Sequence, residues 1–360
     1  MIGRCKPHIY IYRYTMIGRN NIDEPWNFEA SIPEDPHHCR NEQILPCDPS
    51  YPYRSIDGSC NNLIHPTWGI PDECYMRLQP AYYEGYDGVR KSKNGDPLPS
   101  ARDLTLNVFK EGYRPSPNVS FMFTIYGQTV AHDLSHSENV NSNREQVNAV
   151  TAALDASLVY EKKNKKLMEL RANDGTGDLR GNQHFFLTGI VTIFVREHNR
   201  IATNLKKMNP HWEEERLFQE SRVRDNIPKE LRILLRNKSV EDIDLFVGIQ
   251  MENFFPEAAV GPTTACIIAM QFYSNKFGDR FFFEHVGLLP SFTAAQRNSL
   301  KQCSLSRLFC DNSNITHVQK NLMLLPSITN PEVPCEDIPE VDLSLWAESP
   351  SHENNNSLNA

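Results

Sequence analysis

The sequence predicts a mainly α-helical protein with long irregular loops. Three observations predict this class. Apolar residues recur at helical spacing in several segments after Asn118, alternating strand patterns are almost absent, and the stretch 47–116 is rich in Pro, Gly and Asn with few periodic runs. The chain of 360 residues is long enough to bury a sizeable core, and its 39% hydrophobic and 23% charged residues are ordinary for a globular protein.

The helices follow one another along the chain. Phe121, Ile125, Gln128 and His132 share one helical face, which predicts a helix over 118–134. Residues 147–160 have the pattern of a short helix or turn segment. Four further helices are predicted, over 185–208, 212–222, 227–237 and 293–308. The first of these four is apolar all round at its start and amphipathic later, as expected of a helix that begins inside a core.

Charge and hydropathy exclude two classes of function. The net charge of −8 argues against a nucleic-acid partner, because no strong positive field exists to neutralise phosphates. No run of about 18 apolar residues occurs, so no membrane span is expected. The first 16 residues carry Arg and Lys among tyrosines and have no continuous apolar run, so we expect no signal peptide there.

The nine cysteines indicate an oxidising compartment. No C-x-x-C pair occurs, which argues against a zinc ribbon or a thioredoxin-like redox site. Structural disulfides are therefore expected, and with them an extracellular, secreted protein. Four N-glycosylation triplets are compatible with that location, at Asn118, Asn237, Asn314 and Asn355.

The most informative segment is a helical one. Gln128 and His132 lie four residues apart and project together, and His136 could continue the row. Three interpretations are open for His132. It is a core or capping histidine, or it binds zinc with His136 and a third ligand that is not obvious nearby, or it performs acid–base chemistry in a pocket.

The same segment, Gly127-Gln128-Thr129-Val130-Ala131-His132-Asp133, resembles the distal, peroxide-facing helix of the animal haem peroxidase family. Six other blocks fall in the family's order. They are Tyr53–Asn62, Val147–Tyr160, Gly177–Arg180, Arg196–Arg200, Asp279–Glu284 and Cys310–Asn312. The resemblance covers residues 46–220 and 241–347, and it implies an animal haem peroxidase-like helical domain.

The resemblance implies a haem oxidoreductase that reduces hydrogen peroxide with a small organic or halide donor. His132 would move a proton between the two peroxide oxygens, as base and then as acid. Arg180 would stabilise negative charge on the departing oxygen, and Gln128 would hydrogen-bond water or a small anion beside the haem. Gln183 completes the implied haem-contacting set. Taken alone, Arg180 is better explained as a surface or salt-bridged arginine.

The block Val147–Tyr160 resembles the family's calcium loop. Oxygens at alternate positions suit a loop that wraps a hard cation. The resemblance implies a ligand set made of Asp133, the Thr151 hydroxyl and carbonyl, the Ala153 carbonyl, Asp155 and Ser157. Because Asp133 follows His132, a bound ion would fix the position of the distal histidine. The alternative is that Thr151 or Asp155 caps a helix.

Three positions depart from the family in a way that concerns how haem is held. The family often esterifies its haem to an aspartate and a glutamate, and Ala131 and Gln183 occupy those positions here. His184 stands where a methionine forms a sulfonium bond in myeloperoxidase. The resemblance therefore implies haem b held without covalent bonds.

A larger departure is an internal truncation. In the family, well over a hundred residues separate the helix ending near Arg222 from the segment resembling Glu241–Phe246, and they supply the proximal histidine. Here Asn226 stands where a trace of that region would place a histidine. We therefore expect weak haem binding, uncovered apolar helix faces, poor folding and impaired activity.

The predicted organisation follows from this truncation. It comprises an irregular arm (1–46), the distal half of the domain (47–222), a junction replacing the proximal region (223–240), the C-terminal part of the same domain (241–347) and a disordered tail (348–360). The resemblance also implies Cys47–Cys60 and Cys310–Cys335 disulfides, with Cys266 left single.

Two other functions remain open. One is a secreted calcium-binding pseudo-peroxidase with an adhesion or matrix role. The other is a zinc hydrolase built on His132 and His136.

Overall fold

The computed structural model describes most of the chain between residues 45 and 348. The described residues are 45–75, 83–85, 88–92, 95–98, 100, 102–103, 106, 118–140, 146–161, 177–222, 260–287 and 291–348. The chain forms two compact units: unit 1 is Met1–Asn41, Cys74–Val119 and Glu230–Phe277, and unit 2 is Glu42–Glu73, Ser120–Lys229 and Gly278–Ala360. All candidate site residues belong to unit 2.

Helices dominate the described residues, and the strands are short. The helices are α1 (Phe121–Leu134), α2 (Ser157–Tyr160), α3 (Phe185–Met208), α4 (Glu214–Arg222), α5 (Pro262–Phe277), α6 (Ala294–Leu300) and α7 (Leu305–Asn312). Single 3₁₀ turns cover Leu179–Asn182, Cys335–Asp337 and Leu343–Trp346. The strands are β1 (Glu73–Cys74), β2 (Tyr83–Glu84), β3 (Gly88–Val89), β4 (Ser137–Val140), β5 (Gln146–Asn148), β6 (His317–Gln319) and β7 (Glu332–Pro334).

The strands form one three-stranded sheet, in the order β1-β5-β4, and two two-stranded sheets, β2-β3 and β6-β7. In unit 1, β2 pairs with β3, and α5 is the long helix. In unit 2, β4 pairs with β5 directly after α1, and β6 pairs with β7 near the C-terminal end. The predicted mainly α-helical class is confirmed. Each strand is only two to four residues long.

The predicted helices agree closely where the apolar pattern was strong. Helix α3 has the predicted bounds, α1 begins at Phe121 within the predicted 118–134, and α4 begins two residues after the predicted start. Residues 147–160 contain the end of β5, a turn and α2. The helix predicted over 227–237 lies outside the described residues, as do most of the arm and the tail.

The helix predicted over 293–308 is wrong as one element, because two N-caps divide it. The Thr293 hydroxyl accepts from the Gln296 backbone and the Gln296 side chain accepts from the Thr293 backbone, which starts α6 with a capping box. The Ser304 hydroxyl accepts from the Arg307 N–H at 3.2 Å, and this second cap starts α7.

Helix α3 runs through the core of unit 2 and joins two apolar clusters. Its first half contributes Leu187, Ile190 and Val191 to a cluster with α1, α2, α4 and α7. Its second half contributes Ile201 and Leu205 to a cluster with Trp212, Phe283, Leu300 and Trp346. The early, all-round apolar pattern of this helix therefore reflects burial on several sides. None of the helices among the described residues combines the length and the apolar character that a membrane span requires.

Two distant segments that resemble family blocks pack against each other in unit 2. Arg54 forms an ion pair with Asp279 at 2.7 Å, and both side chains are largely buried. Arg280 donates to the carbonyls of Cys60 at 3.0 Å and Pro49 at 3.1 Å. The early loop is thus fastened to the segment that follows Gly278.

The two implied disulfides are confirmed. Cys47 bonds to Cys60 across 13 residues, and Cys310 bonds to Cys335 across 25 residues. Cys303 is a thiol of intermediate exposure. The expectation that Cys266 is single concerns a side chain outside the described set, so it stays a prediction.

Candidate functional site

The calcium-loop residues converge on the end of α1. The Ser157 hydroxyl lies 3.2 Å from both the carbonyl oxygen and the Oδ1 of Asp133, and the Ala156 N–H donates to Asp133 Oδ2 at 3.2 Å. The Thr151 hydroxyl donates to Asp155 Oδ1 at 2.8 Å. The sequence-predicted oxygens of Asp133, Thr151, Asp155 and Ser157 therefore belong to one buried cluster.

The charges of this cluster favour a cation. Burial, and then the neighbouring Asp155 charge, raise the pKa of Asp133 from 3.8 to about 7. Burial also raises the pKa of Asp155 against the opposing effects of Arg54 and Arg222. Asp155 Oδ2 is buried and has no hydrogen-bond partner. Two buried carboxyl groups, one with an unpartnered oxygen, lie beside the Thr151 and Ser157 hydroxyls, and such oxygen donors suit a hard cation.

The capping alternative is supported in part, because Asp155 Oδ1 accepts from the Ser157 N–H, at the first residue of α2, at 3.1 Å. Helix α2 begins after Ala156, which has a left-handed backbone and makes no side-chain cap. Thr151 is fully buried, and its methyl group packs under Gly58, whose φ of +73° favours glycine. The loop is thus held against the early segment of unit 2.

The zinc alternative gains no support. Within the part of the chain that the structure describes, no three or more His, Cys, Asp or Glu side chains are grouped to hold a metal ion. His132 and His136 therefore acquire no third ligand of those types there. The calcium-loop set differs because only two of its members are acidic and the others offer hydroxyl or carbonyl oxygens.

His132 is half-buried one residue before Asp133. Burial first, and then the positive charge of Arg180, lower the pKa of the His132 imidazole below its usual 6.5. Its Nδ1 is buried and has no hydrogen-bond partner in the structure. The ring is therefore neutral at neutral pH, which is the form that accepts a proton.

Arg180 is bound to the same turn of α1. Its guanidinium donates to the carbonyl oxygens of His132 at 2.9 Å and Ser135 at 2.8 Å. The same group pairs with Asp178 at 2.6 Å. Arg180 is therefore a salt-bridged arginine in this structure, as the alternative interpretation of this residue expected. The structure brings Arg180 beside His132 through the backbone, and its action on a peroxide oxygen stays a prediction.

Gln128 forms hydrogen bonds with both Gln183 and His184. Its amide nitrogen donates to Gln183 Oε1 at 3.1 Å, and its Oε1 lies 2.9 Å from His184 Nε2. His184 Nδ1 accepts from the Leu187 N–H at 3.2 Å and caps α3. These contacts fix the neutral tautomer with the proton on Nε2. In the sequence, His184 indicates only the loss of a covalent haem bond, because histidine is not among the residues that commonly cap helices.

Aromatic side chains near this face are exposed. Phe185 is 75% exposed and Phe121 is 58% exposed, and the rings of Phe121 and Phe186 meet edge to face at 4.9 Å. Leu179 is also exposed. The expectation that the truncation uncovers apolar helix faces stays a prediction.

The charged tract Arg196–Arg200 makes contacts that join helices. Arg200 makes two hydrogen bonds of 2.8 Å to Glu197, and the Asn312 amide donates to Glu197 Oε2 at 2.8 Å. His198 Nδ1 lies 2.9 Å from the Tyr160 hydroxyl. The tract therefore joins α3 to α7 and α2.

Several of the described histidines make contacts within the chain. His184 uses both ring nitrogens within the chain, His198 is bound to Tyr160, and His285 Nε2 lies 3.1 Å from the Asp279 carbonyl. His184 is therefore excluded as the axial ligand that haem iron requires, and the absence of a proximal histidine from this chain stays a prediction.

Comparison with known proteins identifies the family. The model of the animal haem peroxidase family matches residues 53–143, 175–225 and 223–323. The matches cover more than half of the chain, so the protein belongs to the animal haem peroxidase family. The second and third matches meet at residues 223–225.

The similar proteins are peroxidases. A peroxidase from Drosophila melanogaster is 23% identical, and the match spans 82% of each chain. That alignment runs over 569 positions, which exceeds the length of this chain and therefore contains gaps in it. The chorion peroxidase of Aedes aegypti is 29% identical over 49% of this chain and 35% of its own. The solved structure of peroxidase A from Dictyostelium discoideum has a TM-score of 0.60 at 15% identity, covering 75% of this chain and 99% of that one.

Proposed function

We propose that this protein is an oxidoreductase that reduces hydrogen peroxide and oxidises a small organic or halide donor. Its turnover is impaired because it has no proximal histidine. The observation that carries the proposal is the position of His132. Its imidazole is neutral at neutral pH, and its backbone carbonyl accepts a hydrogen bond from Arg180. Its neighbour in the sequence, Asp133, belongs to the buried oxygen cluster. Family membership supplies the reaction class.

The chain's own residues contribute proton transfer and positioning. His132 accepts a proton from one peroxide oxygen and donates it to the other. It can act first as a base because its lowered pKa keeps the imidazole neutral. Arg180 places positive charge beside that ring and holds the last turn of α1. Haem b, held without covalent bonds, is the cofactor that the family implies, and Gln128, His132, Arg180 and Gln183 would face it.

Calcium is proposed as the resident metal ion. Asp133, Thr151, Ala153, Asp155 and Ser157 would hold it. Asp155 Oδ2, buried without a partner, and the raised pKa of Asp133 support a cation at this position. Secretion is proposed from the two disulfides, which persist in oxidising compartments.

A haem titration of the purified protein tests the proposal. We expect a weak Soret band and slow guaiacol oxidation, and the His132→Ala variant should lower the residual rate by about 10² or more. The matched control is His211→Ala, which removes an exposed histidine after α3. A strong Soret band with rapid turnover would refute the impairment. Equal rates in the two variants would refute the role of His132.

A second candidate is a secreted calcium-binding pseudo-peroxidase with an adhesion or matrix role. It is favoured by one contrast: the oxygen cluster is formed, whereas Gln128 and Arg180 are already bonded to chain groups. Metal and haem analysis of secreted protein separates the candidates. Stoichiometric calcium with no haem supports the second candidate, and stoichiometric haem rejects it.

A further inference from the structure

One of the four N-glycosylation triplets lies in an exposed loop of unit 2. Asn314, Ile315 and Thr316 follow the end of α7 and precede β6, and all three residues are exposed. The middle residue is not proline, so the triplet has the sequence that an N-glycosylation acceptor requires. The triplets at Asn237 and Asn355 lie outside the described residues.

The Asn314 side chain makes no contribution to the packing of unit 2. Within the part of the chain that the structure describes, its amide forms no hydrogen bond. The contrast with Asn312 is clear, because that buried amide donates to Glu197 Oε2 at 2.8 Å and to the Leu308 carbonyl at 2.9 Å. A bulky sugar group on Asn314 would therefore enter solvent without displacing any contact of the fold.

The backbone holds this triplet at the surface. The Cys335 N–H donates to the Thr316 carbonyl at 2.9 Å, and the Cys310–Cys335 disulfide closes the segment behind α7. Strand β6 begins at His317, directly after the triplet, and pairs with β7. The Thr316 hydroxyl lies 3.0 Å from His317 Nδ1, and both residues are exposed. The two side chains that define an acceptor thus remain open to solvent.

The triplet at Asn118 differs because its serine takes part in the fold. The Ser120 hydroxyl donates to the Leu322 carbonyl, and the Ser120 N–H donates to the Met323 carbonyl at 2.9 Å. Ser120 is also the residue that precedes α1. Its hydroxyl is half-buried and bonded, whereas the Thr316 hydroxyl is exposed. The structure therefore favours Asn314 over Asn118 as an acceptor.

We infer that Asn314 is an N-glycosylation site, modified by a transferase that uses an oligosaccharide linked to a lipid diphosphate. Nδ2 of Asn314 forms a bond to the anomeric carbon of the first sugar, and the bond from that carbon to the diphosphate oxygen breaks. The lipid diphosphate leaves, and Nδ2 gives up one proton. The inference rests on the proposed secretion, because the transferase and its donor belong to the secretory route.

Expression of the full chain in insect cells tests the site. A cleavable leader directs the chain into the secretory route, so the result does not depend on the protein's own export signals. Release of the glycans by a glycosidase in heavy-oxygen water converts each modified asparagine to a labelled aspartate, which peptide mass spectrometry locates. We expect the label at Asn314, with a lower occupancy at Asn118. An unlabelled Asn314, or an occupancy at Asn118 that equals or exceeds it, overturns the inference.

Four variants complete the test by their intact mass. Asn314→Gln and Thr316→Ala should each lose the mass of one glycan, and Thr316→Ser should keep it, because serine also supplies the hydroxyl. Asn298→Gln, at an exposed asparagine of α6 outside any acceptor triplet, is the matched control and should keep it as well. A glycan retained in Asn314→Gln or in Thr316→Ala at the wild-type mass overturns the inference.

The proposed secretion is tested separately, by searching for the native protein in extracellular fluid. Its absence there refutes secretion, whereas an unlabelled Asn314 behind the leader refutes the acceptor site.

Discussion

In the absence of the proposed calcium ion, the stability of this protein should fall as the pH rises. Without a cation, burial and Asp155 raise the pKa of Asp133 from 3.8 to about 7. A carboxyl group whose folded pKa is raised favours the folded state below its unfolded pKa, and this contribution is lost as pH rises through the folded value. Each pKa unit is worth ~1.4 kcal/mol, so ionising Asp133 costs about 4 kcal/mol above pH 7. That is a large share of a typical stability of ~5–15 kcal/mol.

Urea unfolding between pH 4 and pH 8, with EDTA or with calcium, measures this effect. The wild-type protein in EDTA should lose about 4 kcal/mol of unfolding free energy across this window relative to Asp133→Asn. His132 has a depressed pKa and shifts stability in the opposite direction below pH 6.5, but both proteins share it, so the comparison removes it. Calcium should restore the stability of the wild type at pH 8 much more than that of the variant.

Two results would refute the reasoning. Parallel pH profiles for the wild type and Asp133→Asn in EDTA would mean that burial and the Asp155 charge do not raise the pKa of Asp133. No response of the wild type to calcium at pH 8 would mean that the cluster is stabilised by protons or by internal hydrogen bonds, and not by a cation.

Two further predictions concern the packing of unit 2. Gly177→Ala should cost ~1–3 kcal/mol, because its Cβ would lie 2.2 Å from the Glu161 nitrogen, while the control Gly189→Ala has open space in α3 and should gain ~0.5–1 kcal/mol. Thermal unfolding measures both, and similar changes in the two variants would contradict the clash. Arg54→Met should cost ~3–5 kcal/mol by leaving Asp279 buried and unpaired, and the double variant Arg54→Met/Asp279→Leu should recover most of that loss. A double variant no more stable than the single one would show that the charge is not the cause.

The sequence predicted best where local pattern and burial agree. Helix α3 has its predicted bounds because its apolar side chains pack into the two apolar clusters along its whole length. Helices α6 and α7 were joined in the prediction because their apolar residues keep nearly the same period, although Thr293 with Gln296 is a visible capping box. In that segment the capping residues, and not the apolar periodicity, determine where the helices begin.

Side-chain partners across the fold were not predictable in the same way. The segment containing Gln128 indicated a polar residue facing a site, but its bonds to Gln183 and His184 depend on where α3 begins. The salt-bridged state of Arg180 was open as an alternative, and Asp178, two residues away, supplies the partner. By contrast, the cluster of Asp133 and Asp155 follows from family order, since the loop is short and directly follows β5.

The distal side can persist without the proximal side because it is held from within unit 2. One turn of α1 is bound on two sides: the Asp133 side chain accepts from Ala156 and Ser157, and the carbonyls of His132 and Ser135 accept from Arg180. A cation near a helix C-terminus is favourable for the helix dipole, so Arg180 also stabilises the last turn electrostatically. None of these bonds needs iron or a residue beyond Arg222. The position of His132 is therefore a property of the helix end and the loop, whereas its reactivity depends on the cofactor presented to it.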